Sequence, residues 1–266
     1  MLQTIRDVVV NHACTGCGTC VGVCPTNALR MAETPAGYLH PKMDARRCTE
    51  CGLCHLVCPQ IHVSTAMRSH FADPFVGPIK RAVLAHASDE RLWRKGQTGG
   101  LIRALVAWML QSGQADAALC VVDNRADPIR PLATLVRDPQ ECLRIPRSKY
   151  CPVPVNALLN QVRSFHGRVV YVGLGCSMQG LQLALERIPR LREKLALRIG
   201  LFCAGIMSYA AAAHLVRCSD VLPQNLQTFE YRSKTEIGWP GVPEALAENG
   251  RSVHPAFACD EQVGAF

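Results

Sequence analysis

The chain has 266 residues, 15 cysteines and a formal net charge of +8, and 48% of its residues are hydrophobic. This length and apolar content allow a sizeable buried core, which excludes global disorder. A secreted disulfide scaffold is also excluded, because such proteins are shorter and begin with a charged and then apolar leader, unlike the MLQTIRDVVV start of this sequence. We therefore expect a cytoplasmic protein whose clustered thiols bind metal.

The N-terminal quarter of the chain contains an internal repeat of cysteines. The pattern C-x2-C-x2-C-x3-C-P runs from Cys14 to Pro25 and again, 34 residues later, from Cys48 to Pro59. Between the copies, a Thr-Pro-Ala-Gly turn within residues 29–44 predicts a small hairpin. We expect residues 1–66 to form one α+β module of the ferredoxin-like type.

This cysteine spacing is typical of two cubane iron–sulfur clusters. Three closely spaced thiolates bind one cube from a short loop, and the fourth cysteine faces away and ligates the other cluster. The first 4Fe-4S cluster is expected to take Cys14, Cys17, Cys20 and Cys58, and the second Cys48, Cys51, Cys54 and Cys24. A pair of structural zinc sites is the alternative, but zinc usually uses two separated Cys-x2-Cys pairs.

The rest of the chain predicts an α/β body behind a linker. Asp-Pro and Gly-Pro pairs indicate the linker at residues 67–80. The elements predicted after it are a buried strand at 81–86, a glycine-rich turn at 96–100, a helix at 101–111, a strand at 117–122, a helix at 155–165, a strand at 168–173, a helix ending near 188, and a strand at 195–203 followed by a helix. The uncharged stretch 199–216 is interpreted as strand and helix and not as a membrane span. After Tyr231 the sequence predicts turns.

Five short motifs follow one another along the body. They are Gly96-Gln-Thr-Gly-Gly100, Ser148-Lys-Tyr-Cys-Pro-Val-Pro154, Gly173-Leu-Gly-Cys-Ser-Met-Gln-Gly-Leu181, Ile199-Gly-Leu-Phe-Cys-Ala-Gly205, and Tyr231-Arg232 through Gly238-Trp-Pro-Gly241. In this order, and behind the cysteine repeat, they resemble the beta subunits of coenzyme F420-reducing hydrogenase and coenzyme F420-dependent dehydrogenases. The resemblance implies an α/β flavin-binding body in two parts, at 81–155 and 156–266. It also implies FAD, iron–sulfur clusters and two-electron exchange with coenzyme F420, a deazaflavin.

The resemblance singles out several residues of the body for the flavin. The small-residue loop at the start of the predicted helix suits a phosphate, and an ordinary strand–helix turn is the alternative. Its residues are Gly96, Thr98, Gly99 and Gly100. Lys149 is expected to offer its charge to the flavin or to a phosphate, and Tyr150 to stack.

Two cysteines follow predicted parallel strands, at the edge where open α/β sheets bind ligands. Cys176 and Cys203 have three interpretations: they face the flavin, ligate a further cluster, or pack as small apolar side chains. The sequence also departs from the family pattern, since Gly175-Cys176-Ser177 replaces Pro-Cys-Gln. Family members commonly continue beyond the Trp-Pro-Gly stretch, so we expect this chain, which ends at Phe266, to be truncated.

The charge is unevenly distributed and bears on partners. Residues 1–66 carry +1, and the remainder carries +7. A basic body would attract an acidic ferredoxin, another redox subunit, a phosphorylated cofactor or the anionic tail of a deazaflavin. No run of Lys and Arg supports nucleic-acid binding. Three functions stay open: a flavin and iron–sulfur oxidoreductase subunit, an electron relay without its own flavin, and a structural iron–sulfur subunit.

Overall fold

A computed structural model describes residues 4–64, 78–143, 145, 147–234 and 241–255. Within these ranges the protein is a mixed α/β structure with three sheets, which confirms the mixed α/β prediction. Most of the predicted linker lies outside the described residues, and so do Gly238-Trp-Pro240 and Cys259.

The described residues contain ten α-helices, two 3-10 turns and nine strands. The helices are α1 (Ile5–Val10), α2 (Thr19–Gly22), α3 (Leu53–Leu56), α4 (Glu90–Lys95), α5 (Leu101–Gln111), α6 (Pro139–Leu143), α7 (Leu159–Ser164), α8 (Gly175–Arg187), α9 (Pro189–Glu193) and α10 (Tyr209–Arg217), with 3-10 turns at Val155–Leu158 and Pro223–Asn225. The strands are β1 (Leu29–Glu33), β2 (Leu39–Met43), β3 (Ala117–Val122), β4 (Leu132–Val136), β5 (Val169–Leu174), β6 (Leu195–Leu201), β7 (Leu226–Ser233), β8 (Val242–Ala247) and β9 (Ser252–Val253).

The cysteine-rich residues build two short helices around the predicted hairpin. Strands β1 and β2 pair antiparallel, with Leu29 opposite Met43 and Glu33 opposite Leu39. Helices α2 and α3 begin at corresponding places of the two repeats, each after a glycine with positive φ. Helix α1 precedes the first repeat and begins with a capping box, in which Thr4 accepts a hydrogen bond from the Asp7 N–H and Asp7 accepts one from the Thr4 N–H.

The central sheet has the strand order β4-β3-β5-β6. Strands β3, β5 and β6 are parallel, and β4 adds an antiparallel edge. Helix α5, strand β3, strand β5 and helix α8 lie close to the predicted positions, because continuous apolar runs and helical periodicity are strong signals. The uncharged stretch 199–216 forms the end of β6 and most of α10, and no helix among the described residues is long and apolar enough to cross a membrane.

The predicted buried strand at 81–86 is wrong. These residues form no strand, they are exposed to solvent, and the Leu84 side chain packs against nothing that covers it. The segment becomes anchored only at its end, where the Ala87 N–H donates to the Gly99 carbonyl at 2.8 Å. The apolar run Ala-Val-Leu-Ala suggested a strand, but an apolar run carries no information about whether a pairing strand is available.

The third sheet was not predicted. Strands β7, β8 and β9 form an antiparallel meander, and its side chains alternate between buried and partly exposed along β7. Phe229 and Tyr231 of β7 pack with Tyr209 at the start of α10. Residues 229–232 alternate apolar and polar, the pattern of a strand with one solvent-exposed face, but this run is short and the turn-forming residues after Tyr231 favoured turns.

The cysteine-rich residues and the body share one core. Val23 and Val57, which follow α2 and α3, are fully buried in the same hydrophobic cluster as Leu159, Tyr171 and Leu181 of the body. Polar contacts tie the hairpin to the body as well: the Tyr209 N–H donates to the carbonyl of Gly37 at 2.9 Å. The repeat therefore packs against the 3-10 turn, α7 and α8 of the body and shares their core.

Candidate functional site

Four cysteines from the two repeats surround one cavity beneath α1. Three come from the first repeat and the fourth from the end of the second, and they are Cys14, Cys17, Cys20 and Cys58. Apolar side chains of α1 and of the hairpin complete the walls, namely Ile5, Val8, Val9, Met31 and Pro41. This is the set that the spacing assigns to the first cluster. A thiol-lined cavity with apolar walls fits a cubane cluster held by four thiolates.

The other four cysteines, Cys24, Cys48, Cys51 and Cys54, form a second set beside the first. Cys54 is close enough to Cys24, Cys48 and Cys51 for their negative charges to repel. Cys54 also interacts in this way with Cys20 and Cys58 of the first set. The two sets therefore adjoin at these residues, an arrangement that suits electron exchange between two neighbouring clusters.

The surroundings of most of these thiols disfavour the thiolate form, and a bound metal would remove that penalty. Burial raises the pKa of five of them, and the charge of neighbouring thiolates raises it further; they are Cys14, Cys17, Cys20, Cys54 and Cys58. Cys24 differs: burial raises its pKa, but hydrogen bonds from Thr26 and the Ala28 N–H outweigh burial and lower it. Thiolate is the form that binds iron. The positive charge of the iron would therefore stabilise thiolates that burial has deprived of water.

A single metal ion suits this arrangement less well than a cluster does. In the described ranges, no group of three or more His, Cys, Asp or Glu side chains is arranged to hold one metal ion. The four thiolates of a cubane each bind a different iron and are therefore spread around a larger object than a zinc ion. The zinc alternative needs four ligands converging tightly on one point.

A buried polar network lies directly behind the first set. Asn156, at the 3-10 turn before α7, donates from Nδ2 to Thr19 Oγ1 at 2.7 Å and to the Ser177 carbonyl at 2.8 Å. Thr19 Oγ1 is in turn 3.2 Å from Cys17 Sγ. Tyr171 of β5 donates to Asn156 Oδ1 at 2.5 Å. Sequence reasoning missed this network, because Thr19 occupies a variable position of the cysteine motif and Asn156 is 137 residues away in the chain.

The two cysteines expected near the flavin lie in different surroundings. Cys176 is half-buried in the first turn of α8 and is close enough to Cys14 and Cys17 for their charges to interact. Cys203 is exposed just beyond β6, where its thiol faces the Gly205 carbonyl at 3.7 Å. Cys176 is thus brought to the first cysteine set and not to the glycine-rich loop.

The glycine-rich loop lies at the start of α5, as its position in the sequence predicts. Gly100 is the N-cap of that helix and, like Gly99, has a positive φ that favours glycine. The loop is held by strand β7 and its following residue: Gln97 donates to the Arg232 carbonyl at 2.6 Å, and Lys234 donates to the Gly96 carbonyl at 2.5 Å.

Lys149 and Tyr150 lie near this loop but already have protein partners. Lys149 is only 6% exposed; its Nζ forms an ion pair with Asp123 at 2.7 Å and donates to the Phe229 carbonyl at 2.9 Å. Tyr150 accepts a hydrogen bond from Arg232 at 3.1 Å and packs edge-on against Tyr231. Lys149 therefore carries little uncompensated charge, and Tyr150 is wedged between body residues.

Cations to which the sequence analysis gave no role gather around the loop. Arg147 forms an ion pair with Glu230 of β7, and Lys234 is close enough to Arg147 and Arg232 for their charges, together with burial, to lower its pKa. Burial and the nearby Arg147 also lower the pKa of Arg103 in the first turn of α5. No described polar atom is within hydrogen-bonding distance of Arg103 Nη2, which is buried. A bound anion would relieve this repulsion.

The fold and the two cysteine sets define an iron–sulfur protein with a mixed α/β body. A 4Fe-4S dicluster domain matches residues 13–61. The two halves of the coenzyme F420 hydrogenase/dehydrogenase beta subunit, its N-terminal and C-terminal domains, match residues 82–160 and 166–254. The chain belongs to the coenzyme F420 hydrogenase/dehydrogenase beta subunit family, as the motifs predict.

Two relatives have names that refer to coenzyme F420. The chain is 26% identical over 219 residues to a coenzyme F420-dependent sulfite reductase of Methanocaldococcus jannaschii, over 77% of this chain and 33% of that protein. It is 28% identical over 149 residues to the coenzyme F420 hydrogenase subunit beta of Methanosarcina barkeri, over 54% of this chain and 51% of that subunit. The chain thus spans between a third and about half of these two relatives.

A solved structure is similar at a greater distance. The F420-reducing NiFe hydrogenase complex of Methanosarcina barkeri contains a chain that superposes with a TM-score of 0.49 and 22% sequence identity, covering 64% of this chain and 58% of that one. This likeness is too distant to add to the family assignment.

Proposed function

We propose that this chain is an iron–sulfur flavoprotein subunit of an oxidoreductase, which passes electrons between two 4Fe-4S clusters and a flavin that exchanges hydride with coenzyme F420 or a similar carrier. The observation that carries the proposal is the cavity lined by Cys14, Cys17, Cys20 and Cys58 against the body. Thiolates from both repeats meet there, and Cys176 of the body adjoins them.

The residues that would hold the flavin are proposed from the cations beside the glycine-rich loop. The N–H groups of Gly96 and Gly99 already donate to carbonyls, so the charge comes from side chains: Arg103, Arg147 and Lys234 supply positive charge that Glu230 only partly offsets. This donor set suits a phosphate or pyrophosphate group. A flavin supplies coupling of one-electron to two-electron chemistry when bound, because it is stable in both kinds of redox state.

Coenzyme F420 is proposed as the two-electron partner from the names of the relatives, a hydrogenase subunit and a sulfite reductase that both use it. Other redox subunits or a ferredoxin would supply or consume the single electrons. A cytoplasmic location and the division of the body at residue 155 stay predictions.

An electron relay without its own flavin is the second candidate, and one observation favours it. Lys149, which the family resemblance assigns to the flavin, forms an ion pair with Asp123 and donates a hydrogen bond to the Phe229 carbonyl. If the flavin site has decayed, the clusters would serve a partner subunit, and the cations of the loop would bind nothing specific.

Iron content and visible absorbance test the cluster assignment. After anaerobic purification, the protein should contain about eight irons, and Cys14→Ser and Cys48→Ser should each lose about four of them. Cys218→Ser, at the end of α10 and outside both cysteine sets, is the control and should lose none. An unchanged iron content in Cys14→Ser would contradict the ligand assignment.

Flavin binding separates the two candidate functions. FAD titrated into the iron-loaded protein should bind, and Lys234→Met or Arg147→Ala should weaken binding by about tenfold or more, since each removes a charged contact. Arg190→Ala, an exposed arginine on α9, should bind FAD like the wild type. If clusters are present and neither FAD nor FMN binds, the relay function is correct and the flavoprotein function is wrong.

A further inference from the structure

A chain of buried hydrogen bonds connects the central sheet to one of the cysteines of the first set. It runs from Tyr171 on β5 through Asn156 and Thr19 to Cys17, with the distances given above. Tyr171, Asn156 and Thr19 are each 0% exposed. A polar chain that is completely buried keeps one hydrogen-bonding arrangement, because any unsatisfied member would be costly.

The direction of each hydrogen bond follows from the chemistry of the groups. The Ser177 carbonyl only accepts, so the Asn156 atom 2.8 Å from it must be the amide nitrogen. The amide oxygen then faces Tyr171, whose hydroxyl must donate. The second amide hydrogen of Asn156 goes to Thr19 Oγ1. The Thr19 hydroxyl therefore accepts from Asn156 and has its single hydrogen left for Cys17 Sγ.

This last hydrogen bond matters for a cysteine that ligates a cluster. Hydrogen bonds to the ligand sulfurs are among the factors that set the reduction potential of an iron–sulfur cluster. Reduction adds negative charge, and a donor aimed at the sulfur stabilises the more negative state. The potential of the cluster therefore rises when the hydrogen bond is present.

We propose that Thr19, held in place by Asn156 and Tyr171, raises the reduction potential of the cluster ligated by Cys17. This inference rests on the proposed function, because it requires the two clusters. Thr19 acts on the ligand sulfur directly, while Asn156 and Tyr171 are positioning residues that fix its hydroxyl.

The second repeat provides an internal comparison. The residue that corresponds to Thr19, 34 positions later, is Leu53. Leu53 has no hydroxyl and packs against the hydrophobic core that contains Val57. The two repeats therefore differ in a hydrogen-bond donor at the same place, two residues after the second cysteine of each run.

The body supplies most of this hydrogen-bond chain, since Asn156 and Tyr171 both belong to it. The Asn156 N–H donates to the Cys17 carbonyl at 3.2 Å, and a Cβ at Gly180 of α8 would lie only 2.2 Å from Thr19 Oγ1. Residues of the 3-10 turn, β5 and α8 thus enclose the threonine from three sides. A two-cluster module without this body would lack the donor that directs the Thr19 hydrogen to the sulfur.

Redox titration followed by electron paramagnetic resonance tests the proposal on the full chain. Thr19→Val should lower the potential of one cluster by the equivalent of an about three- to tenfold change in its one-electron equilibrium, a tenfold change being about 59 mV. The potential of the other cluster should not move. The signal that moves should be the one lost in Cys14→Ser. Thr19→Ser keeps the hydroxyl and should restore the wild-type value.

Matched variants separate a specific change in the reduction potential from a general loss of structure or of clusters. Ser112→Ala removes an exposed hydroxyl at the end of α5, outside the lining of the cysteine cavity, and should leave both potentials unchanged. Tyr171→Phe should lower the same potential by less than Thr19→Val, because the Asn156 amide loses one polarising partner. Iron content measured on every variant shows whether both clusters are present.

The outcomes distinguish this inference from the proposed function. A wild-type protein without clusters would overturn both. Two clusters in the wild type and in Thr19→Val with equal potentials in the two proteins would overturn the inference alone. If Thr19→Val fails to retain iron, Tyr171→Phe decides, and a potential identical to that of the wild type would overturn the proposal.

Discussion

Single residues set how closely the cysteine-rich repeat approaches the body. Gly22, the last residue of α2, lies so near the 3-10 turn that a Cβ would be 1.8 Å from the Asn156 carbonyl oxygen. Backbone meets backbone at this point, and neither side can yield by rotating a side chain. The close contact also brings Asn156 within reach of Thr19. The packing and the Asn156–Thr19 hydrogen bond therefore both require a residue without a Cβ at position 22.

Gly22→Ala should therefore destabilise the protein by about 3 kcal/mol or more, because the backbone of one element must move. The free energy of unfolding from denaturant titration measures the effect. Gly175→Ala is the matched control: Gly175 opens a helix, nothing lies within 4 Å of its Cβ position, and the change should cost nothing or stabilise slightly. Equal stability of Gly22→Ala and the wild type would contradict the close approach.

Secondary-structure elements are joined across the molecule by a few charged contacts. Arg130, between β3 and β4, forms an ion pair with Glu33 at the end of β1 at 2.9 Å and another with Asp127 at 2.8 Å. Its guanidinium also lies 5.0 Å from the centre of the Tyr209 ring. One arginine thus connects the hairpin, the central sheet and helix α10.

A double-mutant cycle of Arg130→Ala and Glu33→Ala should give a coupling energy of about 0.5–1 kcal/mol, the usual range for a partly exposed pair. The coupling should fall in high salt, since both side chains are more than a third exposed. The exposed pair Arg94 and Glu90 within α4 is the control, and its coupling should be smaller. A coupling near zero for Arg130 and Glu33 would show that the hairpin is held by apolar packing alone.

Elements with strong local patterns were predictable and those that depend on partners were not. The helix at 101–111 and the strand at 117–122 have the bounds that their apolar periodicity predicts. The strand predicted at 81–86 is wrong, since its apolar residues have no pairing strand. The cysteine sets follow from spacing alone, whereas the Thr19–Asn156 contact and the cations around the loop arise from chain segments that only the fold brings together.

At the scale of the whole molecule, the repeat and the body form a continuous core. Val23 and Val57 are buried among body residues. The loops that carry the cysteines are thus anchored from behind by the central sheet. Loss of the clusters would break the bonds between the cysteine sulfurs and iron that hold these loops. Val23 and Val57 would then be held in the core less firmly.

Thermal unfolding should therefore be a single transition in which cluster absorbance and tryptophan fluorescence change together. Trp108 of α5 reports on the body, since it lies far along the chain from the cysteines. Cys14→Ser should lower the melting temperature of both signals by several degrees, about 4 °C for each kcal/mol lost in a domain of this type. Two separate transitions, with the cluster signal lost first, would instead indicate an independent module.

The hairpin turn at residues 34–37 has a consequence for how this protein can vary. Hairpin turns are ordinarily where a chain tolerates insertions, because they project into solvent. Here Gly37 is buried, its carbonyl accepts the Tyr209 N–H, and a Cβ on it would lie 2.8 Å from the Ala210 nitrogen. An added residue would push β1 and β2 away from α10 and displace the walls of the cysteine-lined cavity. We therefore expect related sequences to conserve the length of this turn and to carry their insertions at other loops.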